Sequence, residues 1–194
     1  NYNEKTAKLY CDHSLFTANP LITSELLNFF DRRQKQAFYS SYKYLIFSPL
    51  ESRRKINLLI NKEIKISKAG KNASIILKMN SLTDTAIIEK LYEASNAGVQ
   101  IKLIIRGMCC LVPGLAGFSE NIEVISIIDR YLEHARVWIF GVKGRQNVYL
   151  SSADMMSRNL DHRVEVGFPI LDAGIRSEIL DIINIQLRDN TKAR

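Results

Sequence analysis

Cysteine is scarce in this sequence: Cys11, Cys109 and Cys110 are the only three in 194 residues. An odd count closes no disulfide framework, and adjacent Cys109 and Cys110 lack zinc-ligand spacing, so a reducing compartment is expected. Long hydrophobic runs are missing too. The longest, Val99 to Ile105, is broken by Gln100 and Lys102 and falls far below the roughly 20 residues a membrane-spanning helix needs. There is no G-x-x-x-x-G-K-S/T loop, no G-x-G-x-x-G turn and no clustered Cys/His set, which leaves P-loop nucleotide binding, the dinucleotide fingerprint and a zinc site unsupported. No tandem repeat or low-complexity tract occurs. The sequence has neither an initiator Met nor a charged stretch leading into an apolar one, and it is expected to be a piece of something longer.

What is present is a globular composition. Hydrophobic residues make up 46% and charged residues 24%, which excludes wholesale disorder, and the length supports one domain with its own core. Lys and Arg outnumber Asp and Glu by 27 to 20. The excess favours an anionic partner: nucleic acid, a phosphate-rich small molecule, polyphosphate or an acidic membrane. The lysines and arginines from Arg53 to Lys71 read as a solvated helix face, because no aromatics interleave with them to stack bases, so nucleic acid is not the expected partner.

The apolar pattern alternates between two periods. Pro20 with Thr23, Ser24 and Glu25 opens a short helix through Phe30, a loop is expected over 31–42, and Tyr44 to Phe47 reads as a strand. Ile56, Leu59, Ile60 and Ile64 build the stripe of a helix ended by Gly70. Residues 75–79 then read as a strand, Ile87, Ile88, Leu91 and Tyr92 as a helix opened by Thr83 and Asp84, and residues 101–105 as a further strand. This order predicts an α/β fold with parallel strands under right-handed crossovers. Beyond a loop over 107–119, residues 124–128, 137–140, 148–150 and 164–170 read as strands, and Ile175, Ile179, Ile182 and Ile183 mark a last helix.

Polar residues at strand ends are the candidate site, since open α/β sheets place ligands there. Arg106 directly follows an apolar strand; it suits a phosphate clamp, or equally a surface pair with a carboxylate. The run from Asp129 to Arg136 holds His134, which has the chemistry of a general acid for phosphoryl transfer, or of a loop histidine bonded to a carboxylate. After the strand at 148–150 come Ser151, Ser152 and Asp154, then Arg158, Asn159 and Arg163. They suit an anion cradle, or a helix start capped by Ser151 or Ser152 with Asp154 on the dipole. His13 and His162 have no recognisable partners, and Cys109 and Cys110 are expected to pack rather than react.

Four segments, NYNEKTAKLYCDHSLFTA, IIRGMCCLVPGL, ISIIDRYLEHARVWIF and YLSSADMMSRNLDHRVEVGFPI, closely resemble the C-terminal half of polyphosphate kinase, a family with a phospholipase D-like catalytic core. The resemblance covers the whole chain. It implies a single phospholipase D-like domain over 1–194, with 1–42 as a lead-in segment, a mixed sheet and helices on both faces. It also implies the reversible transfer of the terminal phosphate of ATP to polyphosphate through a phosphohistidine, with magnesium.

By the same resemblance His134 matches the second catalytic histidine and, with Tyr10 and Arg106, the ATP site, Arg106 standing at the nucleotide's phosphates. Asp12, Arg136, Ser152, Asp154, Arg158 and Asn159 are the supporting candidates. Arg136 stands where a phospholipase D pattern has lysine, which keeps the charge but changes the geometry. The phosphorylated histidine is expected upstream of Asn1 and the magnesium site outside this chain, with no metal site in it, so by itself the chain is expected not to turn over. The family implies ATP or ADP and polyphosphate as partners, together with further domains of the same enzyme, a homo-oligomer, and a cytoplasmic location that leaves membrane association open. A phospholipase D-like phosphodiesterase and a non-catalytic polyphosphate- or nucleotide-binding module are the alternative readings.

Overall fold

The structure is a computed structural model that describes residues 3–35, 41–128 and 130–189. Asp129 and residues 36–40 of the expected loop lie outside the described residues. In chain order the elements are α1 (Glu4–Ala7), β1 (Tyr10–Cys11), α2 (Pro20–Gln34), β2 (Ile46–Ser48), α3 (Ser52–Lys68), β3 (Ser74–Met79), α4 (Thr85–Asn96), β4 (Gln100–Ile105) and β5 (Ile122–Ile125). There follow β6 (Leu132–Glu133), β7 (Arg136–Phe140), β8 (Asn147–Ser151), a π-helical turn at Arg158–His162, β9 (Glu165–Pro169) and α5 (Ala173–Gln186).

Seven strands form one sheet in the order β2-β9-β8-β7-β3-β4-β5. Strands β3, β4 and β5 run parallel, as the strand and helix alternation predicts, while β7, β8, β9 and β2 join antiparallel. The sheet is therefore mixed. Side chains alternate between its faces. Ile75, Leu77, Leu103 and Trp138 pack with Ile56, Ile60, Ile87 and Leu91 of α3 and α4, whereas Ile104, Val137, Ile139 and Leu150 pack with Ile179 and Ile183 of α5. Each such fully buried aliphatic side chain contributes about 1.5–3 kcal/mol.

Helix α4 starts as its sequence predicts. Asp84 accepts from the Ile87 N–H at 3.1 Å, and Arg53 grips both carboxylate oxygens at 2.7 and 2.8 Å. Those hydrogen bonds from Arg53 hold the Asp84 carboxyl below its ordinary range. Arg53 also bonds Asp161, and Lys55 donates to the Leu45 carbonyl at 2.7 Å. These two basic residues are consequently clamps, not part of a solvated face.

Helix α2 continues to Gln34 where a loop is expected from Asp31. Phe29 stacks on Phe47 with ring centroids 4.0 Å apart, and charges at i,i+4, such as Asp31 with Lys35 at 2.8 Å, carry the helix onward. Glu25 of this helix accepts from the backbone N–H groups of Lys43, Tyr44 and Leu45, which fixes the entry into β2.

A second, two-stranded sheet stands apart from the main one. Tyr10 and Cys11 of β1 pair in parallel with Leu132 and Glu133 of β6. This ladder brings the segment after β1 against the start of β7.

Candidate active site

The C-terminal ends of parallel β3 and β4, the start of β7 and the end of β8 meet at one edge of the sheet, since Lys78 pairs with both Ile104 and Val137, and Arg136 with Ser151. Polar side chains concentrate there. Asp12 directly follows β1 and His134 directly follows β6, so the small ladder sets them side by side: Asp12 Oδ1 lies 2.7 Å from His134 Nδ1. A carboxylate accepts only, which puts the imidazole hydrogen on Nδ1 and leaves Nε2 as the nitrogen that can give or take a proton. Tyr10 sets its ring edge-on to His134, with centroids 4.9 Å apart.

Arg136 lies across the histidine. Its Nη1 is 3.2 and 3.3 Å from the two ring nitrogens, so it stands at the end of neither lone pair, and it donates to the His134 carbonyl at 3.1 Å. The rest of the guanidinium reaches Asp154 at 3.2 and 3.3 Å. Asp154 Oδ1 also accepts from the backbone N–H and Nδ2 of Asn80 at 2.9 and 3.2 Å, and Asn80 Oδ1 accepts from Arg106 Nε at 2.6 Å. One chain of contacts thus runs from Asp12 through His134, Arg136, Asp154 and Asn80 to Arg106. Gly107 makes the last step possible, because a Cβ there would lie 2.7 Å from the Asn80 carbonyl oxygen.

Ser152 and Asn159 meet on a different carboxylate. Asn159 Nδ2 donates to Glu165 Oε1 at 2.7 Å, Ser152 Oγ bonds the other oxygen, and the Val166 N–H returns to Ser152 Oγ at 3.1 Å. No helix begins at Ser151 or Ser152, contrary to the capping expectation. Ser151 Oγ accepts from Ala153 N–H in a local turn, and Asp154 is drawn away by Asn80 and Arg136. Arg158 opens the π-helical turn with its side chain exposed and is not part of the chain of contacts above. Asp12, His134, Arg136 and Ser152 line a cavity of about 390 Å³. Among the described residues, no three His, Cys, Asp or Glu side chains are grouped so as to hold a metal ion. No helix among them is long and apolar enough to cross a membrane.

Residues 45–194 match the family model described as polyphosphate kinase C-terminal domain 2. The chain belongs to the polyphosphate kinase family. Residues 1–39 match the model for polyphosphate kinase C-terminal domain 1. A polyphosphate kinase of Vibrio parahaemolyticus is 50% identical over 194 residues, all of this chain and 28% of its own length; the chain therefore spans a little over a quarter of that relative. The crystal structure of polyphosphate kinase from Porphyromonas gingivalis superposes with a TM-score of 0.93 at 45% identity, covering 100% of this chain and 30% of that one. Nuc of Salmonella typhimurium, a phospholipase D family member, matches 77% of this chain and 94% of its own, with a TM-score of 0.51 at 19% identity. That likeness is one of fold: the domain is phospholipase D-like.

In this polyphosphate kinase chain the sequence motifs leave several of the edge residues out. Asn80 joins Asp154 to Arg106, and it sits after an apolar strand just as Arg106 does, a signal that was legible. Glu165 gathers Ser152 and Asn159 but falls inside an expected strand. Cys109 and Cys110 are exposed rather than packed, since they follow the turn that leaves β4, and partial burial holds the Cys109 thiol above its ordinary range.

His13 also lines the 390 Å³ cavity and a neighbouring one of about 280 Å³ toward α5. Burial, then the Lys78 cation, hold its imidazole below the ordinary 6.5, against the opposing pull of Glu133, Asp12 and Glu178. A histidine depressed in the folded state favours the unfolded, proton-binding chain as pH drops. The stability present above about pH 6.5 is lost as pH falls through that value toward the folded one. A His13→Gln variant should therefore lose less stability than the parent between about pH 7.5 and 5.5 in urea titrations; parallel profiles for the two proteins would refute this.

Proposed function

We propose that this chain supplies the C-terminal part of the catalytic centre of an ATP:polyphosphate phosphotransferase. The observation that carries the reading is the 2.7 Å contact of Asp12 with His134 Nδ1, which supports Nε2 as the atom of proton transfer at a cavity lined by arginine and serine. A nucleophilic histidine outside this chain attacks the γ-phosphorus of ATP, and the bond to the β-phosphate bridging oxygen breaks. His134 in its imidazolium form, with Nδ1–H held by Asp12, gives the proton on Nε2 to that oxygen and is left as the neutral Nδ1–H ring. In the second step a terminal oxygen of polyphosphate attacks the phosphohistidine, and Nε2 takes the proton back.

Phosphoryl transfer depends chiefly on placed positive charge. Arg136 and Arg106 stand at the two ends of the Asp154–Asn80 bridge with fixed orientations, and Arg106 takes the nucleotide phosphates. Tyr10 holds the imidazole plane from the side. Ser152 lines the cavity and shares the Glu165 carboxylate with Asn159; these two and the exposed Arg158 are the supporting residues of the reading. Magnesium bound with the nucleotide would neutralise charge on its phosphates, with its protein ligands expected outside this chain. We take residues 1–194 as one structural unit with 1–42 as its lead-in, a reading supported by the pairing of β1 with β6. The remaining partners are the other domains of the same cytoplasmic enzyme and further copies of it.

The experiment is an assay of the intact enzyme with ATP and with phosphodiester substrates in parallel. Formation of polyphosphate and ADP from ATP, with no diester cleavage, is the expected result. Diester hydrolysis without ATP turnover would establish the phosphodiesterase reading instead.

A further inference from the structure

A buried ion pair lies directly behind the catalytic edge, on the α5 face of the main sheet. Lys78 sits near the C-terminal end of β3 with its side chain only 3% exposed, and its ammonium bonds the Glu133 carboxylate. Glu133 is the residue immediately before His134. The same carboxylate oxygen accepts from Gln186 Nε2 of α5 at 2.8 Å, and the carboxylate also takes a hydrogen bond from the thiol of Cys11, its partner in the β1–β6 ladder. Three donors from β3, α5 and β1 therefore converge on one side chain.

We propose that the Lys78–Glu133 pair is the positioning element of the reaction, acting through His134. A two-residue ladder does not hold itself in water, yet the Asp12–His134 contact depends on this ladder. Lys78, rooted in an interior strand between β7 and β4, fixes Glu133 by direction as well as by charge, and Glu133 fixes both the ladder partner Cys11 and its own neighbour His134. Hydrophobic side chains of equal volume would fill the same space, but would not set the register or the tilt. Displacement of a catalytic group by about 1 Å can cost on the order of 100-fold in rate. The proposal rests on the reading of His134 as the proton-transfer group.

The test uses the intact enzyme carrying Lys78→Met with Glu133→Leu, Lys78→Arg, Glu133→Gln and His134→Ala, and the charge-free pair combined with His134→Ala. Replacing both charges at once avoids a stranded buried ion, so the thermal midpoint should stay within about 4 °C of the parent. The kcat should fall about tenfold or more while the KM for ATP changes less than about twofold. Lys78→Arg should recover most of the loss. On the His134→Ala background, removing the pair should lower kcat no further, since both changes act at one point.

Parental kcat in the charge-free variant would overturn the positioning role, as would additive losses in the combined variant. If the charge-free variant does not fold, Glu133→Gln, which keeps shape but not charge, decides in the same way by its kcat. Parental turnover by His134→Ala would instead strike the reading of His134 itself.

Discussion

Replacing His134 by alanine in the intact enzyme should lower kcat by about 100- to 10,000-fold, the usual worth of a placed general acid, while nucleotide binding is largely kept. With Nδ1 facing Asp12 at 2.7 Å, Nε2 is the ring nitrogen left for proton transfer. Alanine leaves the leaving oxygen to water, and it leaves Arg136 and Asp154 in their mutual contact at 3.2 Å. The loss should therefore fall on turnover rather than on the fold. Asp12→Asn should lower kcat as well, because an amide can offer its N–H to Nδ1 and so favour the tautomer with the hydrogen on Nε2. Steady-state kinetics with ATP and polyphosphate check both variants, and near-parental kcat for His134→Ala would remove His134 from the chemistry.

A second large effect is expected far from the site. The Glu63 side chain is 0% exposed, and Arg145 is its ion-pair partner. The guanidinium binds it through two bonds of 2.9 and 3.0 Å and also caps the Asn72 carbonyl at 2.6 Å. Arg145→Leu strands the carboxylate in the core beneath α3. Removing one partner of a buried pair costs about 3–5 kcal/mol, and for a domain of this size that lowers the thermal midpoint by roughly 6–20 °C. Replacing Glu63 by leucine in the same protein should recover most of the loss. Arg145 follows the end of β7 opposite to Arg136, so activity at low temperature should survive in the single variant. An unchanged midpoint for Arg145→Leu would show the pair to be idle.

Much of the fold could be read along the chain. The parallel strands β3 and β4 are mostly apolar because both their faces are largely covered, with Lys78, Gln100 and Lys102 as the interruptions, and the helix between them carries a single apolar stripe. Arg106 and His134 stood out because charge follows or precedes such runs. Contacts between distant segments were not legible in the same way. Asp12 has no local feature that points to His134, which lies 122 positions away. Lys78 interrupts an apolar run and looks like an edge-strand lysine; only the strand order, with β3 between β7 and β4, shows it to be interior. His13 lacked a partner in the sequence because its surroundings come from β3 and α5. The Ser151 and Ser152 cap failed for a related reason, since Asp154 had a stronger long-range use than a helix start.

The pairing of β1 with β6 also shapes how this gene can change. Asp12 falls in the segment that matches one family model and His134 in the segment that matches the other. The hydrogen-bonded pair is thus inherited from two places on the chain. A recombination crossover at any point between them would join one lineage's carboxylate to another's imidazole. It would stay silent only if the two strands, and the buried charges behind them, had diverged together.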